Sequence, residues 1–319
     1  MMSQFWYSRH PLRWLLLPFS ALFMLVSLVR RMYLCRIKQT TFSVPIIVVG
    51  NLTVGGVGKT PLVIALANAL KEKGLRVGIV SRGYGARGVF PRAVNVDDRA
   101  CDVGDEPLLI AQKTACPVVV DPKRVQAVKY LMQHYQPQVV ISDDGLQHYA
   151  MGRAIEIVVI DGVRGLGNRL VLPAGPLRES AHRLKTVDFI VANSGHWKNA
   201  HCMSMIASDI TNLVNGEVLK PADITQPVAA VAGIGNPQRF HMTLSDLGVV
   251  FNAYSFPDHY AFKPEDLMFK ESIIVMTDKD AVKCRPFATK NMHVLPVQAK
   301  LDSDFWSALW QHKQLKEVL

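Results

Sequence analysis

Between Pro45 and Leu70 the chain reads PIIVVGNLTVGGVGKTPLVIALANAL, and no other stretch limits its possible folds as strongly. An uninterrupted apolar run, Ile46 to Val49, passes through Gly55-Gly56-Val57-Gly58-Lys59-Thr60 into an alanine- and leucine-rich segment with helical spacing. The pattern predicts a strand, a glycine-rich loop and a helix, in which converging backbone N–H groups and the helix dipole receive phosphate oxygens. In this reading Thr53, Val54, Gly55, Gly56, Val57, Gly58, Lys59 and Thr60 cradle the phosphates of a nucleotide. Lys59 reaches the terminal phosphates, and the Thr60 hydroxyl holds Mg²⁺. The usual pattern has a glycine five positions before Gly58, where this chain has Thr53. A chance Gly-Lys-Thr is the competing explanation, but strand, glycines and helix all stand where phosphate binding needs them.

At 319 residues and 49% hydrophobic, the chain can bury a large core, and two domains are the preferred division. The net charge of +10 invites a nucleic-acid reading, which its distribution argues against. Six basic residues and no acidic one lie between Met1 and Lys38, leaving only +4 for everything after. Basicity concentrated beside an apolar run points to an anionic membrane surface as the partner, not to DNA or RNA. The five cysteines, Cys35, Cys101, Cys116, Cys202 and Cys284, are scattered and form no C-x-x-C. They argue against a disulfide framework and a zinc site, and for a reducing compartment, where ATP is also available.

The apolar run itself is Trp14 to Val29, bracketed by Arg13 and by Arg30-Arg31. As a helix it would cover roughly 24 Å, short of the roughly 30 Å hydrocarbon core of a bilayer. Pro18 would kink it near its start, and Trp6, Tyr7, Trp14 and Tyr33 suit the headgroup level. A secretory signal is the obvious competitor, but no small-x-small cleavage site follows the run. A retained, partly inserted anchor is preferred over a single span or a buried soluble helix. All three keep the remainder of the chain in the cytoplasm.

Beyond the glycine loop, short apolar strands alternate with helical segments. Strands are expected at residues 77–80, 117–120, 139–142, 155–160 and 187–192, with helices at 108–114 and 123–134. This alternation predicts an α/β fold, a mainly parallel sheet with helices on both faces of the P-loop NTPase type. Ser81-Arg82-Gly83-Tyr84-Gly85 is a basic loop that either meets the ligand or lies on the surface. Pro107 suits an early helical position, so Asp105 or Glu106 would serve as a helix N-cap. Asp143 ends an apolar strand downstream of the phosphate loop, the position of an acid that holds nucleotide-bound Mg²⁺. Asp144 and Gly145 read equally as a turn, and His148 is a weaker candidate.

The pattern changes near Gly195. Residues 203–210 and 213–219, with Asn215-Gly216 between them, predict a β-hairpin linker, after which strands and helices resume as a smaller α/β lobe. The division expected is an N-terminal helix over 1–38, a nucleotide-binding lobe over 39–194, a linker over 195–225 and the second lobe over 226–319. The second lobe carries a polar loop, Phe256-Pro257-Asp258-His259-Tyr260, in which Asp258 and His259 suit either a turn or chemistry, and also Thr277-Asp278-Lys279-Asp280.

These residues carry a resemblance. Gly50-Asn51-Leu52-Thr53 leading into the glycine loop, Ser81 to Gly85, Gly104 to Pro107, Asp143 to His148, Pro176-Leu177-Arg178-Glu179, Phe256 to Tyr260 and Thr277 to Asp280 together resemble the lipid A 4′-kinases. Thr53 is itself shared with that family. The resemblance implies transfer of the γ-phosphate of ATP to the 4′-hydroxyl of a tetraacylated glucosamine disaccharide, giving lipid IVA, at the cytoplasmic face of the inner membrane. It implies two α/β lobes joined by a β-hairpin linker. It makes Asp105 the base that accepts the hydroxyl proton, with His259 as its partner, and assigns Asp143 and Asp144 to the Mg²⁺ and phosphate region. Arg82, Glu106, Gln147, His148, Arg178, Glu179 and Asp258 are expected near the site without assigned roles. ATP and Mg²⁺ are the implied cofactors, and no protein partner is inferred. The alternative is a membrane-associated ATPase switch of the partitioning or septum-site type. That type has a signature lysine where this chain has Val54.

Overall fold

A computed structural model of the chain describes residues 5–8 and 11–319, so Arg9, one of the six basic residues between Met1 and Lys38, lies outside the described residues. The strands, in chain order, are β1 (Ile46–Gly50), β2 (Val77–Ser81), β3 (Arg92–Ala93), β4 (Val118–Val120), β5 (Val139–Asp143), β6 (Ile155–Asp161), β7 (Phe189–Asn193) and β8 (His201–Ala207). They continue with β9 (Ile210–Asn212), β10 (Val218–Leu219), β11 (Val228–Ala232), β12 (Phe251–Ser255), β13 (Ile274–Thr277), β14 (Met292–Leu295) and β15 (Val297–Leu301).

The chain forms two compact units. The first gathers residues 1–82, 116–204 and 299–319, and the second gathers 83–115 and 205–298. In the first, strands run in the order β7-β6-β1-β5-β2-β4, and every pairing between neighbours in this order is parallel. Every residue of β1, β2, β5 and β6 is buried. Because successive side chains point to opposite faces, such strands need cover on both sides. On one face Ile46, Val48, Val140 and Val158 share a core with Ala127, Val128 and Leu131 of the helix Arg124–Tyr135. The helix Lys59–Glu72 buries Leu62, Val63, Leu66 and Leu70 against the sheet strands.

The second unit holds a six-stranded sheet, β10-β9-β14-β13-β11-β12. Strands β11 to β14 pair in parallel, and β9 and β10 are antiparallel additions at one edge. Alternate residues of β11 again enter two cores, Ala229 and Val231 on one face and Val228, Ala230 and Ala232 on the other.

Two details differ from the expected division. Segment 83–115 is grouped with the second unit, because its helix Asp105–Thr114 packs on the helix Asp278–Cys284. The terminal helix Ser303–Gln311 is grouped with the first unit, where Phe305 packs edge-on against Phe189 of β7. The Asn215-Gly216 turn does close a hairpin, but between β9 and β10, while β8 pairs in parallel with β7. Gly216 takes the positive φ, +73°, that this tight turn requires.

The N-terminal helix runs from Leu12 to Arg36, continues through Pro18 and spans 25 residues, about 37 Å. By length and composition it is able to cross a membrane. A narrow stripe docks it on the first unit. Ser20, 4% exposed, donates from Oγ to the Val171 carbonyl at 2.9 Å and accepts from the Ala174 N–H at 3.0 Å. Phe23 packs against the same core as β1. Away from that stripe Trp14, Leu15, Phe19, Leu22, Leu25 and Val26 are each more than half exposed.

Candidate functional site

The first unit holds the phosphate loop. Gly58 takes the left-handed φ of +93° and stands as N-cap of the helix Lys59–Glu72 with no side chain closing that terminus. A Cβ placed on Gly55 or Gly56 would meet nothing within 4 Å, so the loop carries open space along that arc. These are the properties of an anion cradle at a helix N-terminus. Thr53 does not leave a defect. It is buried, it forms an antiparallel bridge with Leu177, and the neighbouring Val54 N–H donates to the Pro176 carbonyl at 2.9 Å. Segment 176–178 thus supplies the rigidity of the loop's entry, and the Arg178 N–H closes on the Leu52 carbonyl at 2.7 Å.

Two asparagines absent from the expected site shape this loop. Asn51 accepts from Lys59 Nζ at 3.3 Å and donates to the Thr53 carbonyl at 2.7 Å. Asn193, fully buried at the end of β7, donates to the Val57 carbonyl at 2.8 Å. Asn51 stands inside a family motif, whereas Asn193 carries no sequence signal beyond its place at a strand end.

Around Lys59 the expected residues largely assemble. Its ammonium lies 3.5 Å from Asp144, whose carboxylate is 3.2 Å from the Arg178 guanidinium. Burial raises the Asp144 carboxyl, but the charges of Lys59 and Arg178 outweigh it and hold the group below its ordinary range. Gln147 accepts from Arg178 at 3.4 Å and donates to the Asn51 carbonyl at 3.1 Å. Asp143, 1% exposed, accepts from Ser81 Oγ at 3.1 Å. Arg124 was not foreseen. It is 3% exposed, donates to the Asp143 carbonyl at 3.3 Å, and burial lowers its pKa to about 10. Burial, then the charges of Arg124, Arg153, Arg30 and Arg82, lower His148 to about 4, so its imidazole is neutral at physiological pH. Arg82 itself is exposed at the end of β2.

Glu179 stands apart from the phosphate loop. It accepts from the Tyr149 hydroxyl and lies 3.9 Å from Arg183 and 4.0 Å from Arg31. Arg31 and Arg153 both lie over the Tyr149 ring, at 5.1 and 4.9 Å. Glu179 therefore ties the N-terminal helix to the body of the first unit.

The second unit holds the other constellation. Asp105 is not the N-cap of its helix; it is the first helical residue, and Gly104 caps with φ of +95°. A side chain at Gly104 would be strained there and would press on Pro107 and the Tyr84 carbonyl at 3.2 Å. Asp105 Oδ1 accepts from the Glu106 N–H at 3.0 Å. Nδ1 of His259 lies 3.0 Å from Asp105 Oδ2 and 3.2 Å from Oδ1. His259 has a left-handed φ of +60°, uncommon for a residue with a side chain, and its N–H is held by Asp258 at 3.1 Å. Its ring rests 4.9 Å from that of Tyr84. Burial raises the Asp105 carboxyl, yet the His259 hydrogen bond and the Lys279 charge prevail and hold it below the ordinary range. The hydrogen bond to Asp105 raises His259 above its usual value despite partial burial.

Lys279 was missed as a site residue. Its ammonium donates to Glu106 at 3.0 Å, to Asp258 at 3.1 Å and to Nε2 of His259 at 3.2 Å, and lies 3.8 Å from Asp105. Its neighbours in sequence face elsewhere. Thr277 caps the helix, Asp278 pairs with Lys113, and Asp280 is buried on the Gly233 N–H.

A buried carboxylate against an imidazole can accept a proton, and a helix N-terminus with lysine and arginine can hold phosphates. Known proteins resemble the chain over nearly its whole length. A family model described as LpxK, tetraacyldisaccharide-1-P 4′-kinase, matches residues 12–314. A tetraacyldisaccharide 4′-kinase of Legionella pneumophila (strain Lens) is 55% identical over 315 residues, 98% of each chain. One from Shewanella sp. (strain MR-4) is 48% identical over 310 residues, 96% of this chain and 92% of the other. The fold matches LpxK from Aquifex aeolicus, crystallised in complex with ATP, with a TM-score of 0.78, 29% identity and coverage of 96% and 99%. The chain therefore belongs to the tetraacyldisaccharide-1-P 4′-kinase family and is a lipid A 4′-kinase.

Proposed function

We propose that this kinase takes the γ-phosphate from ATP and delivers it to the 4′-hydroxyl of the disaccharide with Asp105 as the base. The hydroxyl proton passes to the Asp105 carboxylate, the freed oxygen bonds to the γ-phosphorus, and the bond from that phosphorus to ADP breaks. Asp105 suits this role because it is buried yet held ionised, and His259 fixes the carboxylate's orientation. Lys59 and the loop from Thr53 to Thr60 would bind the β- and γ-phosphates, and Arg178, paired with Asp144, stands in the same constellation. Among the described residues no group of three His, Cys, Asp or Glu forms a metal site of its own. The Thr60 hydroxyl in the first turn of the helix Lys59–Glu72 and the Asp143 carboxylate at the end of β5 are hard oxygen donors of the kind that fit Mg²⁺, which takes one or two protein ligands together with phosphate oxygens. Thr60 and Asp143 are the residues we assign to it, with Asp144, which follows Asp143 in the chain and lies 3.5 Å from the Lys59 ammonium, as the further acid of this region. When bound, Mg²⁺ neutralises charge developing on the phosphates.

The exposed apolar face of the N-terminal helix supports docking at the cytoplasmic face of the inner membrane, with the exposed Arg36 and Lys38 meeting anionic headgroups. The substrate's acyl chains would remain in the bilayer beside it.

The observation that carries the proposal is the Asp105–His259 pair. Incubation of the full-length protein with γ-labelled ATP, Mg²⁺ and the disaccharide lipid in detergent tests it. Label should appear in the lipid, and Asp105→Ala should abolish this transfer. Label found only as free phosphate would overturn it.

A further inference from the structure

Lys279 has three N–H donors, and three acceptors lie within 3.2 Å of its ammonium: Glu106, Asp258 and Nε2 of His259. Its side chain is 16% exposed, so these groups, and not water, satisfy it. Glu106 and Asp105 reach it from the helix Asp105–Thr114, Asp258 and His259 from the loop after β12, and Lys279 itself stands in the first turn of the helix Asp278–Cys284. An ammonium cannot accept a hydrogen bond. Nε2 of His259 must therefore be the acceptor, and the single ring proton of the neutral imidazole is left on Nδ1, facing both oxygens of Asp105.

We propose that Lys279 is a positioning residue for phosphoryl transfer, which fixes His259 as the neutral Nδ1–H tautomer and so keeps the Asp105 carboxylate free to take the hydroxyl proton. The inference rests on the reading of Asp105 as the base. A second proton on His259 would place Nε2–H against the ammonium and set two cations face to face. Burial lowers the Lys279 pKa, but the charges of Glu106, Asp105 and Asp258 outweigh it and hold the group above its usual value, so the lysine stays charged while it does this. Its charge also opposes protonation of His259 and favours ionisation of Asp105, with Lys283 adding to the latter and the Tyr84 ring lying against the imidazole. A dyad that already carries the extra proton cannot accept the substrate's. Lys279 thus sets the pH at which the dyad becomes a competent base.

The test uses the full-length enzyme with ATP, Mg²⁺ and the disaccharide lipid in detergent micelles, with kcat and KM followed from acid to alkaline pH. Lys279→Met should lower kcat by about 10- to 100-fold, leave the KM for ATP within about twofold, and move the ascending limb of the kcat profile up by about one pH unit. Lys279→Arg keeps the charge and should return the limb toward its wild-type position. Wild-type kcat and profile in Lys279→Met, alongside an inactive Asp105→Ala, would overturn the role of Lys279 alone. An Asp105→Ala variant that retains turnover would instead overturn the base assignment beneath it. Nitrogen NMR of the His259 ring in the unsubstituted protein reads the tautomer without any variant. A pyridine-like Nε2 and a protonated Nδ1 are expected above neutral pH, and an Nε2–H tautomer would sink the proposal.

Discussion

Nδ1 of His259 lies 3.0 Å from Oδ2 of Asp105, across 154 positions of sequence. The acid is buried and the imidazole is partly open, so one oxygen of the carboxylate can be anchored while the pair still meets substrate. Asp105→Asn keeps the side chain's size but removes the charge and the proton acceptor. We expect kcat to fall by about 10²- to 10⁴-fold, the usual range for loss of a general base. Nucleotide binding, read by titration with a fluorescent ATP analogue, should be retained, because the phosphate loop is built from other residues. Unchanged turnover would remove Asp105 from the mechanism.

Two histidines should give the stability curve opposite slopes. His259 has a folded pKa raised above its unfolded value. Its contribution is complete below about pH 6.5, the unfolded value, and is lost as pH rises through the raised folded value. His148 is the reverse. Its folded pKa is lowered to about 4, so the unfolded chain takes up a proton first as pH falls. Stability is lost on that account between about pH 6.5 and about 4. Melting temperatures across this range should fall at the acid side in the parent protein, and His148→Gln should flatten that side. His259→Gln should flatten the alkaline side. An acid limb that survives His148→Gln would assign it to the carboxylates.

The phosphate loop and the strands were legible because their signals are local: an apolar run, a glycine cluster and a periodic helix adjoin one another in sequence. The expected strands at 77–80 and 139–142 agree with β2 and β5 to within one residue for the same reason. What escaped depends on tertiary pairing. Lys279 looks like one charge in a polar motif until the fold brings Glu106, Asp258 and His259 to it. Arg124 reads as an ordinary helix-start residue, and only its burial near Asp143 reveals a special environment. Asp105 misled the local rule because Gly104, with its positive φ, performs the capping turn that Asp105 was expected to make.

Asn193 is the strongest case for a distant residue that tunes the phosphate loop. Its Nδ2 bonds the Val57 carbonyl inside the loop, and neither group meets solvent. Asn193→Ala leaves that carbonyl without this partner, at a cost of about 1–3 kcal/mol. We expect a lower melting temperature and a raised KM for ATP, with a smaller effect on kcat at saturating nucleotide. A variant with lowered stability but unchanged KM for ATP would show that Asn193 supports strand β7 and not the loop.

The N-terminal helix combines two surfaces that a deletion would confuse. Removing it entirely would also strip Ser20 from the Val171 carbonyl and the Ala174 N–H, and Phe23 from the core, so loss of activity would say nothing about membranes. Changing Leu15, Phe19, Leu22 and Leu25 to serine alters only exposed positions. Each such side chain gains about 1.5–3 kcal/mol when it leaves water, so the fourfold variant should move from the membrane to the soluble fraction. Its melting temperature in detergent should stay close to that of the parent, because exposed substitutions usually fall within about 0.5 kcal/mol. Ser20→Leu should do the opposite, lowering stability through crowding and unpaired backbone groups while leaving membrane attachment in place. If the fourfold serine variant still sediments with membranes, the exposed face of this helix is not the anchor, and attachment must come from the basic residues that flank it.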